Sequence, residues 1–102
     1  EHIKAVNNLE DILALPGLDA IMVGPYDLSG SMGLTGQLKH PAMAEVMGRI
    51  AALAERANVP MGTHVVMPDP QELKARIGEG YLFLAYGIDA VFLNAAAPCP
   101  KY

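Results

Sequence analysis

Four side chains able to do polar chemistry fall at comparable places in this sequence. Asp27, His64 and Asp89 each sit at or just after the end of a short apolar run, and Glu1 joins them if the residues before it form a strand. In alternating strand–helix folds, the carboxyl ends of the strands are where reactive groups collect. Two carboxylates from adjacent strand ends can hold one hard divalent cation and leave positions for water and substrate. Mg²⁺ in particular is usually bound by only one or two carboxylates plus substrate oxygens. Each residue also has a plainer reading. An Asp after a strand is more often a helix cap or turn former, and a histidine beside Val65-Val66 is more often a satisfied near-core residue than a ligand.

Other chemistries find less support. The turn Gly24–Gly33 could cradle a phosphate with its backbone N–H groups, yet it lacks the lysine and spacing of a P-loop. Ser29 and Ser31 carry no nucleophile-elbow motif. Cys99, the sole cysteine, is flanked by prolines with no partner nearby in sequence. A thiolate-bound structural zinc is therefore not expected.

The elements that must position these groups follow from the punctuation of the chain. Ala5, Leu9, Ile12 and Leu13 recur at helical spacing between Lys4 and Leu15, and Pro16-Gly17 ends that helix. Asp19–Gly24 is apolar and β-branched, as a strand buried on both faces reads. Gly24-Pro25 stops it, and a glycine-rich turn and a loop lead to His40. Pro41 opens a second helix to about Ala57, closed by Asn58-Val59-Pro60. Met61–Val66 reads as a second strand and Pro68-Asp69-Pro70 as a turn capping a helix to about Ile77. Tyr81–Tyr86 reads as a third strand. The alternation implies βα units on a parallel sheet.

Composition narrows the class. Seven Lys and Arg against eleven Asp and Glu give a net charge of −4, with no basic cluster to neutralise phosphates, so no nucleic-acid partner is expected. Apolar runs fall far short of the roughly 20 residues that span a bilayer, so no membrane partner is expected either. A single cysteine suits a reducing cytosol, and the expected location is cytoplasmic. The 102 residues are 52% hydrophobic and start on Glu1 rather than Met. Small domains bury a smaller share of their surface, so the chain is expected to be one incomplete domain over residues 1–102.

Glu1, the Asn8-Leu9-Glu10-Asp11-Ile12 helix, Pro16-Gly17-Leu18-Asp19 and above all Gly24-Pro25-Tyr26-Asp27-Leu28-Ser29 resemble the HpcH/HpaI family of class II, metal-dependent pyruvate aldolases. The similarity extends to Gly62-Thr63-His64 and Tyr86-Gly87-Ile88-Asp89. It implies a (β/α)₈ barrel, of which this chain supplies the C-terminal half, about four strands. Glu1 and Asp27 match the family's metal ligands, with Mg²⁺, Mn²⁺ or Co²⁺ as the cation. The backbone N–H groups of Tyr26 and Asp27 match those that bind the substrate carboxylate. The resemblance implies that pyruvate chelates the cation, which as a Lewis acid stabilises the enolate left by C–C cleavage. The family's arginine and histidine lie upstream of these residues. Tyr26 stands where the family commonly has Ala or Ser, and His64 where a hydrophobic residue near the pyruvate methyl is expected. Both bear on substrate choice.

The expected activity is reversible aldol cleavage of a 4-hydroxy-2-oxo (2-keto-3-deoxy) acid to pyruvate and an aldehyde, by a homo-oligomeric full-length protein. The alternatives are a carbon–carbon lyase acting on a CoA thioester, like the citrate lyase β-subunit, and a barrel remnant without catalysis. The 102 residues alone are expected to be inactive.

Overall fold

A computed structural model describes residues 1–97; Cys99 lies outside them. The element order is α1 (Ile3–Asn7), α2 (Leu9–Leu13), β1 (Ile21–Val23), α3 (Pro25–Ser31), α4 (Pro41–Ala57), β2 (Met61–Val65), α5 (Pro70–Gly78), β3 (Phe83–Tyr86) and α6 (Asp89–Ala96). The strands form one parallel sheet in the order β1-β2-β3. The described residues thus supply three strands where about four were expected.

The longest helix shows how local chemistry sets its ends. His40 caps α4 through its ring nitrogen, which accepts from the Ala42 N–H, and Pro41 occupies the first helical position. Asn58 closes the helix in the left-handed region at φ 54°, where Asn is among the few tolerated side chains. Between these ends, Met43, Ile50 and Ala54 form a buried stripe. They pack with Val6, Leu9 and Leu13 from α1 and α2, Val23 and Met61 from the sheet, and Leu28 from α3.

Three expectations about the helices change. The first helix is two, broken at Asn8, whose φ/ψ of −104°/15° interrupts the helical run. The stretch read as a glycine-rich turn is the helix α3, started by Pro25 and anchored by Leu28, which is 0% exposed. The helix α6 was not anticipated, because Ala90-Val91-Phe92-Leu93 shows no amphipathic period.

β1 is buried on one face only. Met22, Gly62 and Phe83 lie in register across the sheet, and Met22 and Phe83 are 46% and 39% exposed. The body measures 58 × 27 × 22 Å with a radius of gyration of 15.5 Å, against about 13 Å for a compact chain of this length. Helices cover one side of the sheet and leave the other open.

Candidate active site

Because the strands are parallel, β1, β2 and β3 end on the same rim. That rim carries Gly24–Asp27, the Val66–Pro68 segment and the Gly87–Asp89 turn. Asp27 stands in the first turn of α3, and Glu1 lies two residues before α1.

The structure brings Glu1 and Asp27 together over Gly24. A methyl carbon placed on Gly24 would lie 3.3 Å from Glu1 Oε1 and 3.4 Å from Asp27 Oδ2. The two oxygens can therefore be no further apart than those distances combined. Both carboxylates are exposed, and among the described residues neither takes part in an ion pair or a side-chain hydrogen bond. Mg²⁺ with ligands at about 2.1 Å needs two carboxylate oxygens within about 4 Å of each other, which this arrangement permits. Among the described residues no group of three or more His, Cys, Asp or Glu converges. The donor set is two carboxylates, fitting a cation that takes the rest of its shell from water and substrate.

Serine hydroxyls hold these elements in place, a role that no motif in the sequence signalled. Ser31 Oγ accepts from the Ile3 N–H at 2.9 Å and donates to the Leu28 carbonyl at 2.8 Å. Ser29 Oγ donates to the Tyr26 carbonyl at 2.6 Å and accepts from the Gly36 N–H at 3.0 Å. The first bridges α3 to the segment that carries Glu1. The second ties α3 to the loop that follows it. The N–H groups of Tyr26 and Asp27 belong to the first turn of α3, where backbone donors have no intrahelical acceptor, and Gly24 supplies no side-chain cap.

His64 is half-buried, and its Nε2 lies 3.0 Å from the Gly87 carbonyl. A carbonyl can only accept, so Nε2 carries the proton. The bond ties the end of β2 to the turn after β3, where Gly87 takes φ +69° and the Phe92 ring packs against its Cα. His64 and Tyr26 line one cavity of about 60 Å³, with Met43, Met47, Glu72 and Arg76 in its wall. Burial opposes the Arg76 charge, but bonds to Glu79 at 2.9 Å and Glu72 at 3.2 Å outweigh it, holding the guanidinium pKa above its ordinary value. Asp89 does not join the carboxylate pair: it opens α6 and accepts from the Ala90 N–H at 2.7 Å. His2 and His40 cap α1 and α4.

Comparison with known proteins follows the same residues. The sequence profile of the HpcH/HpaI aldolase/citrate lyase family matches residues 1–96. The chain is 34% identical over 95 residues to a 4-hydroxy-2-oxo-heptane-1,7-dioate aldolase of Escherichia coli, covering 92% of this chain and 35% of that protein. It is 31% identical over 96 residues to a hydroxypyruvate/pyruvate aldolase of Paraburkholderia phytofirmans, covering 94% of this chain and 36% of that one. The crystal structure of an HpcH/HpaI aldolase from Desulfitobacterium hafniense superposes with a TM-score of 0.86 at 32% identity, over 94% of this chain and 37% of that chain. The chain thus spans about a third of the length of the relatives it matches. Its match to the family profile runs through both carboxylates, the serines of α3 and the whole described sheet, and the chain belongs to the HpcH/HpaI aldolase/citrate lyase family.

Proposed function

We propose that this chain forms part of a (β/α)₈ barrel that reversibly cleaves a 4-hydroxy-2-oxo acid to pyruvate and an aldehyde with the aid of a divalent cation. The observation that carries this reading is the approach of Glu1 Oε1 and Asp27 Oδ2 to one point above Gly24. The one-sided sheet, with Met22 and Phe83 exposed on its open face, suits a barrel segment whose remaining strands come from elsewhere in the protein.

In this reading Glu1 and Asp27 hold Mg²⁺, Mn²⁺ or Co²⁺ through oxygen. Bound there, the cation supplies Lewis acidity to the keto oxygen of the substrate. The N–H groups of Tyr26 and Asp27 take the substrate carboxylate, using donors that the start of a helix leaves free. Gly24 leaves the space over which both carboxylates stand. The Tyr26 side chain, 44% exposed at the rim, stands where it can sort acceptor aldehydes. His64, also assigned to the substrate region, borders the same cavity. An arginine from upstream strands stabilises the enolate and a histidine there moves the proton, and assembly into a homo-oligomer in the cytoplasm is expected. A lyase acting on a CoA thioester is less well supported, because Arg76, the one Lys or Arg lining the rim cavity among the described residues, is already bridged to Glu72 and Glu79.

The test is pyruvate release from a 4-hydroxy-2-oxo acid by the full-length protein, before and after removal of divalent cations by a chelator. Activity that falls with chelation and returns on adding Mg²⁺ or Mn²⁺ supports the assignment. Undiminished turnover in chelator refutes it.

A further inference from the structure

The carboxylate of Glu1 is usable only if the backbone that bears it is held at the rim. Glu1 precedes α1, and the first N–H groups of any helix have no partner within it. Here each of the first two donors is satisfied in a different way. The Lys4 N–H goes to the ring Nδ1 of His2 at 3.1 Å, a local cap. The Ile3 N–H crosses to Ser31 Oγ at 2.9 Å, twenty-eight residues along the chain. Because Ser31 also donates to the Leu28 carbonyl at 2.8 Å, both roles of its hydroxyl are fixed, one lone pair and one proton. Leu28, whose carbonyl accepts that bond, is fully buried and lies one residue after Asp27. One hydroxyl therefore joins the backbone two residues after Glu1 to the helix turn that begins with Asp27.

We infer that Ser31 is a positioning residue for the cation site: its hydroxyl pins the Ile3 amide and so fixes the Glu1 carboxylate opposite Asp27. This rests on the proposed role of Glu1 and Asp27 and adds the group that sets their spacing. Side chains that orient metal ligands without touching the metal commonly change metal affinity by about 10–100-fold when removed. Alanine at position 31 leaves the Ile3 N–H without its acceptor. Threonine keeps the hydroxyl. Cysteine keeps the volume but accepts weakly.

The experiment uses the full-length protein with its native residue and with Ser31→Ala, Ser31→Cys and Ser31→Thr. Two quantities are read: hydrogen exchange at the Ile3 amide in metal-free protein, and the Mn²⁺ dissociation constant by calorimetry. Ser31→Ala and Ser31→Cys should expose the Ile3 amide and weaken Mn²⁺ binding by about tenfold, while Ser31→Thr restores both. Should Ser31→Ala fold poorly, the cysteine variant and the native Ile3 exchange rate still decide the matter. An Ile3 amide that exchanges as fast as an exposed one in the native protein removes the pin. Exposure of Ile3 with unchanged Mn²⁺ affinity removes its link to the site, and a threonine variant as weak as alanine removes the hydroxyl as the cause. Absence of Mn²⁺ binding in the native protein, with Ile3 protected, instead overturns the assignment of Glu1 and Asp27.

Discussion

Replacing Gly24 by alanine tests the closeness of the two carboxylates without touching either. Gly24 sits at φ −99° and ψ 95°, extended backbone that alanine adopts freely, so the substitution adds no backbone strain. The new methyl carbon would lie 3.0 Å from Glu1 Cγ, 3.3 Å from Glu1 Oε1 and 3.4 Å from Asp27 Oδ2. Carbon atoms rest at about 3.5–4.0 Å, so the Glu1 side chain must retreat by about 0.5–1 Å. Mg²⁺ holds its oxygens near 2.1 Å in close to octahedral geometry, and a retreat of that size forces the ion to drop or lengthen one bond. The expected loss is about tenfold in affinity, the lower end for changes that misalign ligands, or about 1.4 kcal/mol. The adjustment is confined to the exposed Glu1 side chain, with the backbone still held through Ile3, so the stability of the metal-free protein should stay within about 0.5 kcal/mol of the native value. Calorimetric titration with Mg²⁺ or Mn²⁺, paired with thermal melts in chelator, reads both. Unaltered affinity in a folded Gly24→Ala protein would refute the claim that Glu1 and Asp27 share one ion.

Other substitutions probe the surrounding structure. Tyr26→Ala should change the ratio of kcat/KM between acceptor aldehydes, by an amount worth about 1–3 kcal/mol, more than it changes metal affinity; uniform loss across acceptors would mark Tyr26 as structural. His64→Leu deletes the donor to the Gly87 carbonyl and should cost about 1–3 kcal/mol in urea unfolding, with His64→Gln milder; equal costs would discount the hydrogen bond. Burial raises the pKa of Tyr81, with the Arg76 charge opposing and Glu79 assisting. The neutral phenol is thus favoured in the folded state, and its contribution is complete below about pH 10, the unfolded value. It fades as pH climbs through the raised folded value. Stability measured across that alkaline range should fall less steeply for Tyr81→Phe, and parallel curves would contradict this.

Where the sequence is strongly punctuated it can be read directly. The bounds of α4 follow from Pro41, the Met43–Ile50–Ala54 stripe and Asn58-Val59-Pro60, and Asp69 announces α5 by accepting from the Gln71 N–H. α3 cannot be read so. Glycine and serine are poor helix formers, and what makes Pro25–Ser31 helical is burial of Leu28 together with the bonds that Ser29 and Ser31 accept from Gly36 and Ile3 in other segments. Those are tertiary facts with no periodic trace. The split at Asn8 is a single change in backbone angles, and periodicity passes through it. The same limit governs the site. Strand-end placement alone nominated Asp27, His64 and Asp89 equally, and only the resemblance paired Glu1 with Asp27. Their separation of 26 positions is closed by the Ile3–Ser31 bond and by the absence of a side chain at Gly24, neither of which a local pattern records. Asp89, nominated on the same grounds, opens a helix instead.

Direct measurement of cation binding and cleavage on the same samples addresses the central claim. The full-length protein and its Glu1→Gln and Asp27→Asn variants can be titrated with Mn²⁺, whose free ion is followed by paramagnetic resonance, and then assayed for pyruvate release from a 4-hydroxy-2-oxo acid. One tightly held Mn²⁺ per native chain, lost with pyruvate release in both variants while all three melt as folded proteins, is the predicted result. Native-like Mn²⁺ binding and turnover in either variant would contradict it.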